Sequence, residues 1–173
     1  MLSVPGVSTR PISDRVKTSL FNIIGSDIEQ SSILDLFAGT GSVGIEALSR
    51  GAEYALFIDN NIRAVSTIKK NLSNTKLVSN AHVLKADAFR YIYNQPAREF
   101  DYIYIAPPQY KEIWKKSVSL FNKYSGWLSG TGWMIVQIHP KEYQEVDTEK
   151  FCEFDKRKYG STLLVFYRFS NNV

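Results

Sequence analysis

The sequence predicts an α/β protein with a doubly wound, mostly parallel sheet of seven strands that ends in an antiparallel hairpin. Three observations predict this fold class. Short apolar runs alternate with stretches of helical period through most of the chain, which is typical of α/β layering. The first apolar run leads into a glycine-rich turn, a feature of parallel sheets that bind ligands beyond the carboxyl ends of their strands. The last two runs flank a short segment, 159–161, as hairpin strands do.

The individual elements follow from this alternation. A helix is expected to begin near Ser13, and Gly51 ends a second helix that follows the glycine-rich turn. The fourth strand stops at Pro107 and Pro108, because proline cannot continue a central ladder. The predicted strands are 32–37, 54–58, 82–86, 101–105, 132–138, 151–156 and 163–169. Two of the predicted helices, 42–50 and 88–93, are short. Each of the other three helices carries an apolar stripe that is expected to be buried. The stripes are Val16, Leu20, Phe21 and Ile24 in the first helix, Ile62, Val65, Ile68 and Leu72 in the helix after the second strand, and Trp114, Val118 and Phe121 in the helix after the fourth strand.

The composition points to one domain. A chain of 173 residues that is 44% hydrophobic can bury a core but leaves no room for a second domain of ordinary size, so residues 1–173 are expected to form one domain. With no apolar run near 20 residues and no signal-like start, we expect a cytoplasmic protein without a membrane partner. We also expect a monomer.

The net charge, the single cysteine and the two histidines indicate which partners and metals to expect. The net charge of +4 modestly favours an anionic partner, and on charge alone it is equally consistent with a mildly basic housekeeping domain. The single cysteine, Cys152, cannot form an internal disulfide, and its expected role is packing. Neither His82 nor His139 lies at metal-ligand spacing from other donors, so no metal is expected.

The glycine-rich turn is the strongest functional signal. Gly39, Gly41 and Gly44 have the G-x-G-x-x-G spacing that allows a sharp turn, close approach of a ligand and packing of the helix on the strand. Asp59 ends the next apolar run, about 20 residues after Gly39, where a carboxylate is expected to bind ribose hydroxyls. These residues together predict a cradle for a nucleotide-type cofactor.

Asp35 indicates which cofactor. It lies in the strand that leads into the turn, where a carboxylate suits a cationic, amino-bearing ligand better than a pyrophosphate. S-adenosylmethionine is such a ligand. An NAD-dependent dehydrogenase shares the glycine turn, but the element with Pro107 and Pro108 and the lack of room for a separate substrate domain disfavour it.

Beyond these features, the chain resembles a known family over residues 9–170. The turn from Asp35 to Gly51, Asp87 followed by Ala88, and the Pro-Pro element resemble class I methyltransferases that act on amines. The segment 10–17, with Leu20-Phe21-Asn22 after it, is similar to the opening segment of the RsmD family. The resemblance implies a Rossmann-like fold and methyl transfer from S-adenosylmethionine to a guanine N2 of 16S ribosomal RNA in the small subunit.

The resemblance extends the cofactor site. Asp87 resembles the family acid that contacts the adenine amino group, with Ala88 supplying backbone; Asp87 is also suited to cap a helix, and the two roles are compatible. Asn60 and Asn61 either contact the ribose or begin a helix. The candidate cofactor residues are Asp35, Phe37, Ala38, Gly39, Thr40, Gly41, Asp59, Asn60, Asp87 and Ala88.

The candidate catalytic segment is Ala106, Pro107, Pro108, Gln109 and Tyr110. In the family, an Asp or Asn side chain and a proline carbonyl accept the amine hydrogens, and an aromatic residue stacks on the base. Here Ala106 replaces the acid or amide, and its methyl group accepts no hydrogen bond. Two outcomes stay open: the amide of Gln109 replaces the missing acceptor, or the site is weakened. Tyr110 either stacks on the base or packs at a helix start.

The sequence leaves the identity of the substrate undecided as well. Arg10, Arg15 and Lys17 form a basic edge suited to phosphate or simply to solvent, as does the 156–158 segment. Family members carry a basic, glycine-containing strand pair before the Arg10 motif, and nine residues precede Arg10 here, so that this element is either short or only partly included in the sequence. The alternatives are a methyltransferase for another amine, and a nonenzymatic cofactor-binding or RNA-binding module.

Overall fold

The computed structural model describes residues 12–172, and these residues form the predicted fold class. The seven strands are ordered β3-β2-β1-β4-β5-β7-β6 in one Rossmann-like sheet. The strands are β1 (Ser32–Asp35), β2 (Tyr54–Asp59), β3 (Ala81–Lys85), β4 (Phe100–Ile105), β5 (Leu128–Ile138), β6 (Phe151–Tyr159) and β7 (Thr162–Phe169). The helices are α1 (Asp14–Ile24), α2 (Ser42–Ser49), α3 (Ile62–Thr75), α4 (Ala88–Ile92) and α5 (Ile113–Lys123).

The chain divides after Ala88 into two compact units. In the first unit, β1 pairs with β2 and β2 with β3, all in parallel, and Asp35 lies opposite Phe57 while Asp59 lies opposite Lys85. Parallel pairing brings the carboxyl ends of these three strands to the same edge. The single-domain assignment of residues 1–173 stays a prediction.

The first helix confirms the predicted start. Ser13 caps α1 by accepting a hydrogen bond from the Val16 N–H at 3.3 Å. The buried face of α1 consists of the predicted residues: Val16, Leu20, Phe21 and Ile24. Arg10 and Pro11, the start of the family-like segment, lie outside the described residues.

The second unit contains the antiparallel strand that distinguishes this sheet from a fully parallel one. β4 pairs in parallel with β5, with Ile105 opposite Val136. β7 pairs antiparallel with both β5 and β6, so the predicted hairpin is confirmed. Its tight turn needs a left-handed residue, and Gly160 supplies it with φ 58°.

Three expectations need correction. Ile62 is 59% exposed rather than buried, because it is the first residue of α3 and Ala64 joins the buried stripe instead. β1 ends at Asp35 rather than at 37, since the chain turns at 36 and 37. β5 begins at Leu128 rather than at 132, because Leu128 already pairs with Phe100 across a bulge.

Within residues 12–172, no helix is long and apolar enough to cross a membrane. The longest α-helix in that part of the chain is α3, with 14 residues.

Candidate cofactor and substrate sites

The glycine turn between β1 and α2 lies in the first unit and shows the predicted sharp turn and helix packing. Gly39 and Gly41 adopt positive φ angles of 54° and 75°, and the Gly41 N–H donates to the Ala38 carbonyl at 2.7 Å. Gly44 lies inside α2, where a Cβ would come within 2.4 Å of the Phe57 ring. Only glycine therefore allows α2 to approach β2 this closely.

Asp59 connects the end of β2 to this turn. Its Oδ2 accepts a hydrogen bond from the Gly39 N–H at 2.9 Å, and its Oδ1 accepts one from the Asn61 N–H at 2.8 Å. Each oxygen keeps a second lone pair for a ribose hydroxyl. Asn61 caps α3 by accepting a hydrogen bond from the Arg63 N–H at 2.8 Å, so Asn61 is the residue that begins the helix. Asn60, next to it, is exposed.

Asp35 is a buried carboxyl below the same turn. It is 2% exposed, and its Oδ1 has no hydrogen-bond partner among residues 12–172. Burial raises the pKa of Asp35 to about 7, a hydrogen bond from the Gly44 backbone N–H opposes the increase, and the charge of Asp59 adds to it. An orphaned buried oxygen near a second carboxylate suits a cationic ligand, and the role of Asp35 in binding one stays a prediction.

Asn71 is a site-supporting residue that the motifs did not reveal. It lies in the middle of α3, is fully buried, and donates from Nδ2 to the Thr40 carbonyl of the glycine turn at 3.0 Å. A polar residue within the apolar stripe of a helix is the one sequence signal that could have identified it.

The remaining predicted cofactor residues lie next to these. Phe37 is half-buried in the turn, and Asp87 and Ala88 follow β3. The Ala86 N–H donates to the Asp59 carbonyl at 3.1 Å, which ties the end of β3 to the end of β2. Asp87 is exposed and Ala88 is buried as the first residue of α4.

The candidate catalytic segment follows β4 in the second unit. Ala106 and Gln109 are half-buried, Pro107 is buried and Pro108 is exposed. The Tyr110 side chain is 67% exposed, and α5 begins three residues later at Ile113. Tyr110 is therefore not a core residue.

Two segments of the second unit meet at Tyr110. The Tyr110 N–H donates to Glu142 Oε2 at 2.6 Å, and the Tyr110 ring lies 5.8 Å from the His139 ring between centroids. Glu142 belongs to a short 3₁₀ turn, Pro140–Glu142, that follows β5. Sequence reasoning missed Glu142, because it lies 32 residues from Tyr110 in a segment without a motif.

His139 has a structural partner of its own. It caps the 3₁₀ turn by accepting from the Lys141 N–H at its Nδ1, at 3.2 Å. In the described part of the chain, no three residues of the metal-binding types cluster closely enough to hold an ion.

Comparisons with known proteins agree with the geometry. The chain is 36% identical over 169 residues to the Bacillus subtilis protein YlbH, covering 96% of this chain and 91% of YlbH. It is 32% identical over 167 residues to ribosomal RNA small subunit methyltransferase D of Haemophilus influenzae, covering 94% of this chain and 83% of that protein. The solved structure of yhhF from Escherichia coli superposes with a TM-score of 0.86 at 26% identity, covering 97% of this chain and 90% of that one.

More distant structures share the fold alone. An RNA methyltransferase from Salinibacter ruber superposes with a TM-score of 0.70 at 12% identity, covering 91% of this chain and 92% of that one. The family model described as conserved hypothetical protein 95 matches residues 1–168. The chain therefore belongs to the conserved hypothetical protein 95 family, together with RsmD-like relatives such as the Haemophilus influenzae enzyme.

Proposed function

We propose that this protein transfers a methyl group from S-adenosylmethionine to the exocyclic N2 amine of a guanine in 16S ribosomal RNA. The observation that carries the proposal is the turn in which Asp59 binds the Gly39 N–H while the buried Asp35 carboxyl keeps an unpartnered oxygen. Family membership supports the RNA substrate, because the Haemophilus influenzae relative is a small-subunit ribosomal RNA methyltransferase.

The first unit is the cofactor side of the proposal. Asp59 would accept the ribose hydroxyls, Asp87 the adenine amino group, and Asp35 would favour the positive charge of the ligand. S-adenosylmethionine suits Asp35 better than NAD does, since the pyrophosphate of NAD would be repelled by a carboxylate below the turn.

The second unit is the substrate side of the proposal. The cofactor supplies a methyl group that is already activated on a sulfonium. The protein then has to align the amine with that methyl group, and alignment accounts for roughly 7–11 kcal/mol of barrier reduction in well-oriented reactions. An exocyclic amine is a weak nucleophile, because its lone pair is delocalised into the ring.

Acceptors for the amine hydrogens would expose this lone pair. The carbonyls of Ala106 and Pro107 are the acceptors that the substitution at position 106 leaves in place, and the half-buried Gln109 amide is a third candidate. Tyr110 would stack on the unstacked guanine, which suits an aromatic ring that is two-thirds exposed.

Ala106 also supports a second candidate function. Without an acidic or amide side chain at this position, the protein would bind cofactor or RNA without catalysing methyl transfer. Label from S-adenosylmethionine at a different amine of the small ribosomal subunit would indicate a methyltransferase with another target.

Incubation with labelled S-adenosylmethionine tests the proposal. The substrate is small ribosomal subunits that lack guanine N2 methylation, and nucleoside analysis locates the label. We expect label in N2-methylguanosine. Cofactor binding without transfer to these particles would reject the proposal in favour of the binding module.

Two tyrosine variants test the base contact. Tyr110→Ala should lower methylation by tenfold or more and leave cofactor affinity unchanged, because base stacking contributes roughly 1–3 kcal/mol. Tyr93 is the matched control, since it is 54% exposed in the same unit, follows α4, and has its ring 5.5 Å from the Tyr124 ring between centroids. Equal losses in Tyr110→Ala and Tyr93→Ala would show that the stacking role is wrong.

A further inference from the structure

The loop between β4 and α5 has a strained backbone. Tyr110 and Glu112 adopt φ angles of 62° and 52°, in the left-handed region that favours glycine. Such conformations cost bulky residues free energy and persist only where neighbouring groups hold them. The neighbouring groups are therefore informative about what the loop does.

Glu142 is the group that holds Tyr110. Its Oε2 accepts from the Tyr110 N–H at 2.6 Å, and its Oε1 accepts from the His139 N–H at 3.3 Å. One carboxylate thus bridges the loop after β4 and the segment after β5. Hydrogen bonds to an ionised acceptor are shorter and stronger than neutral ones, so this bridge is suited to hold a strained residue.

A second connection joins the same two segments. Lys115 Nζ donates to Glu112 Oε1 at 2.9 Å and also to Gln144. Both left-handed residues are therefore tied, directly or through Lys115, to the segment 139–144. Two independent contacts therefore hold the loop in this backbone conformation.

We propose that Glu142 is a positioning residue that fixes the ring of Tyr110 in the orientation needed to stack on the target base. This role rests on the function proposed above. Glu142 binds the backbone of Tyr110, so it would act through the ring and not by touching the base or the cofactor.

The role predicts which kinetic constant changes. Without Glu142 the loop is free to leave the left-handed conformation, and the ring and amine would move out of alignment. A misplacement near 1 Å costs about 100-fold in rate. We expect Glu142→Ala to lower kcat by about tenfold to 100-fold, with the KM for the ribosomal particle and the affinity for S-adenosylhomocysteine nearly unchanged.

Two further variants make the assignment specific. Glu142→Gln keeps one carbonyl oxygen for the Tyr110 N–H but cannot accept from both donors, so its kcat should lie between wild type and Glu142→Ala. Glu145→Ala is the matched control, since it removes a carboxylate from an exposed position one residue after the segment 139–144. It should keep the wild-type kcat.

A double variant separates positioning from a general structural role. If Glu142 acts through the ring of Tyr110, the change Glu142→Ala should cost little once Tyr110 is already alanine. Equal fold losses in the wild-type and Tyr110→Ala backgrounds would assign Glu142 a structural role and overturn the proposal. Thermal unfolding confirms that each variant is folded.

Hydrogen exchange supplies a readout that needs no substrate. The Tyr110 amide should exchange faster in Glu142→Ala than in wild type or Glu145→Ala, and unchanged exchange overturns the proposal. If wild type binds cofactor but methylates nothing, the proposed function fails and the positioning role fails with it. If wild type is active and Glu142→Ala is equally active, the positioning role alone fails.

Discussion

Asp35 allows a quantitative test of the cofactor site through pH. Burial raises its pKa from 3.8 to about 7, so the folded protein keeps this carboxyl protonated over a range in which the unfolded chain has already ionised. The unfolded state then binds fewer protons, and the free energy of unfolding falls as the pH rises from about 4 to about 7. A shift of roughly three units corresponds to a loss on the order of 4 kcal/mol across this window.

Replacing the carboxyl isolates this contribution. Asp35→Asn is neutral at every pH, so it should lack the decrease that Asp35 causes, and its stability relative to wild type should rise between pH 4 and pH 7. Chemical denaturation at several pH values measures the difference. Asp14→Asn is a suitable control, because the Asp14 side chain is 98% exposed and its removal should leave the wild-type profile.

Cofactor binding should reverse the shift. A cationic group bound at the turn favours ionised Asp35, so binding of S-adenosylhomocysteine should release a proton below pH 7. The Kd should then fall by up to tenfold per pH unit between about pH 5 and pH 7 and level off above that. Calorimetry in two buffers with different ionisation enthalpies counts the proton released.

The pH profiles of unfolding and of ligand binding can also refute the role of Asp35. If wild type and Asp35→Asn show parallel pH profiles for both unfolding and binding, Asp35 does not titrate in this range and does not respond to the ligand.

Three further substitutions test the turn. Asp59→Ala should weaken S-adenosylmethionine binding, measured by calorimetry, about tenfold or more. It should also lower the free energy of unfolding by roughly 1.5–3 kcal/mol, because it removes two hydrogen bonds to an ionised acceptor. Unchanged affinity in a folded variant would exclude the ribose role. Gly44→Ala should destabilise by about 1–3 kcal/mol through overlap with Phe57, whereas Gly130→Ala, where a Cβ meets nothing within 4 Å, should cost less in the same thermal unfolding experiment. Asn71→Leu should weaken cofactor binding although it lies on a helix outside the turn, and an unaltered Kd would show that its hydrogen bond does not shape the site.

The parts of the fold that could be predicted depend on local interactions. Ser13 was identifiable as a cap because a hydroxyl precedes a periodic apolar stripe, and the hairpin was identifiable from its turn residues. Gly39 and Gly41 were predictable for the same reason, since their positive φ angles are a property of a few neighbouring residues.

The missed features depend on distant partners. Glu142 and Asn71 each act on a loop more than 30 residues away in sequence, at separations of 32 and 31 residues, and no local pattern encodes that contact. The early start of β5 was hidden because Gly130 and Gly132 look like a turn. A Cβ at position 132 would come within 2.9 Å of the Asp101 carbonyl, so that glycine permits close strand pairing.

The hydrogen bond between Asp59 and the glycine turn affects how fast a ligand binds and how much backbone entropy binding costs. Asp59 holds the first glycine of the turn, while Asn71 holds the Thr40 carbonyl from the middle of α3. Both hydrogen bonds are made within the protein, so we expect the turn to lose little backbone freedom when a ligand binds. We expect association to proceed without a slow rearrangement step in the first unit.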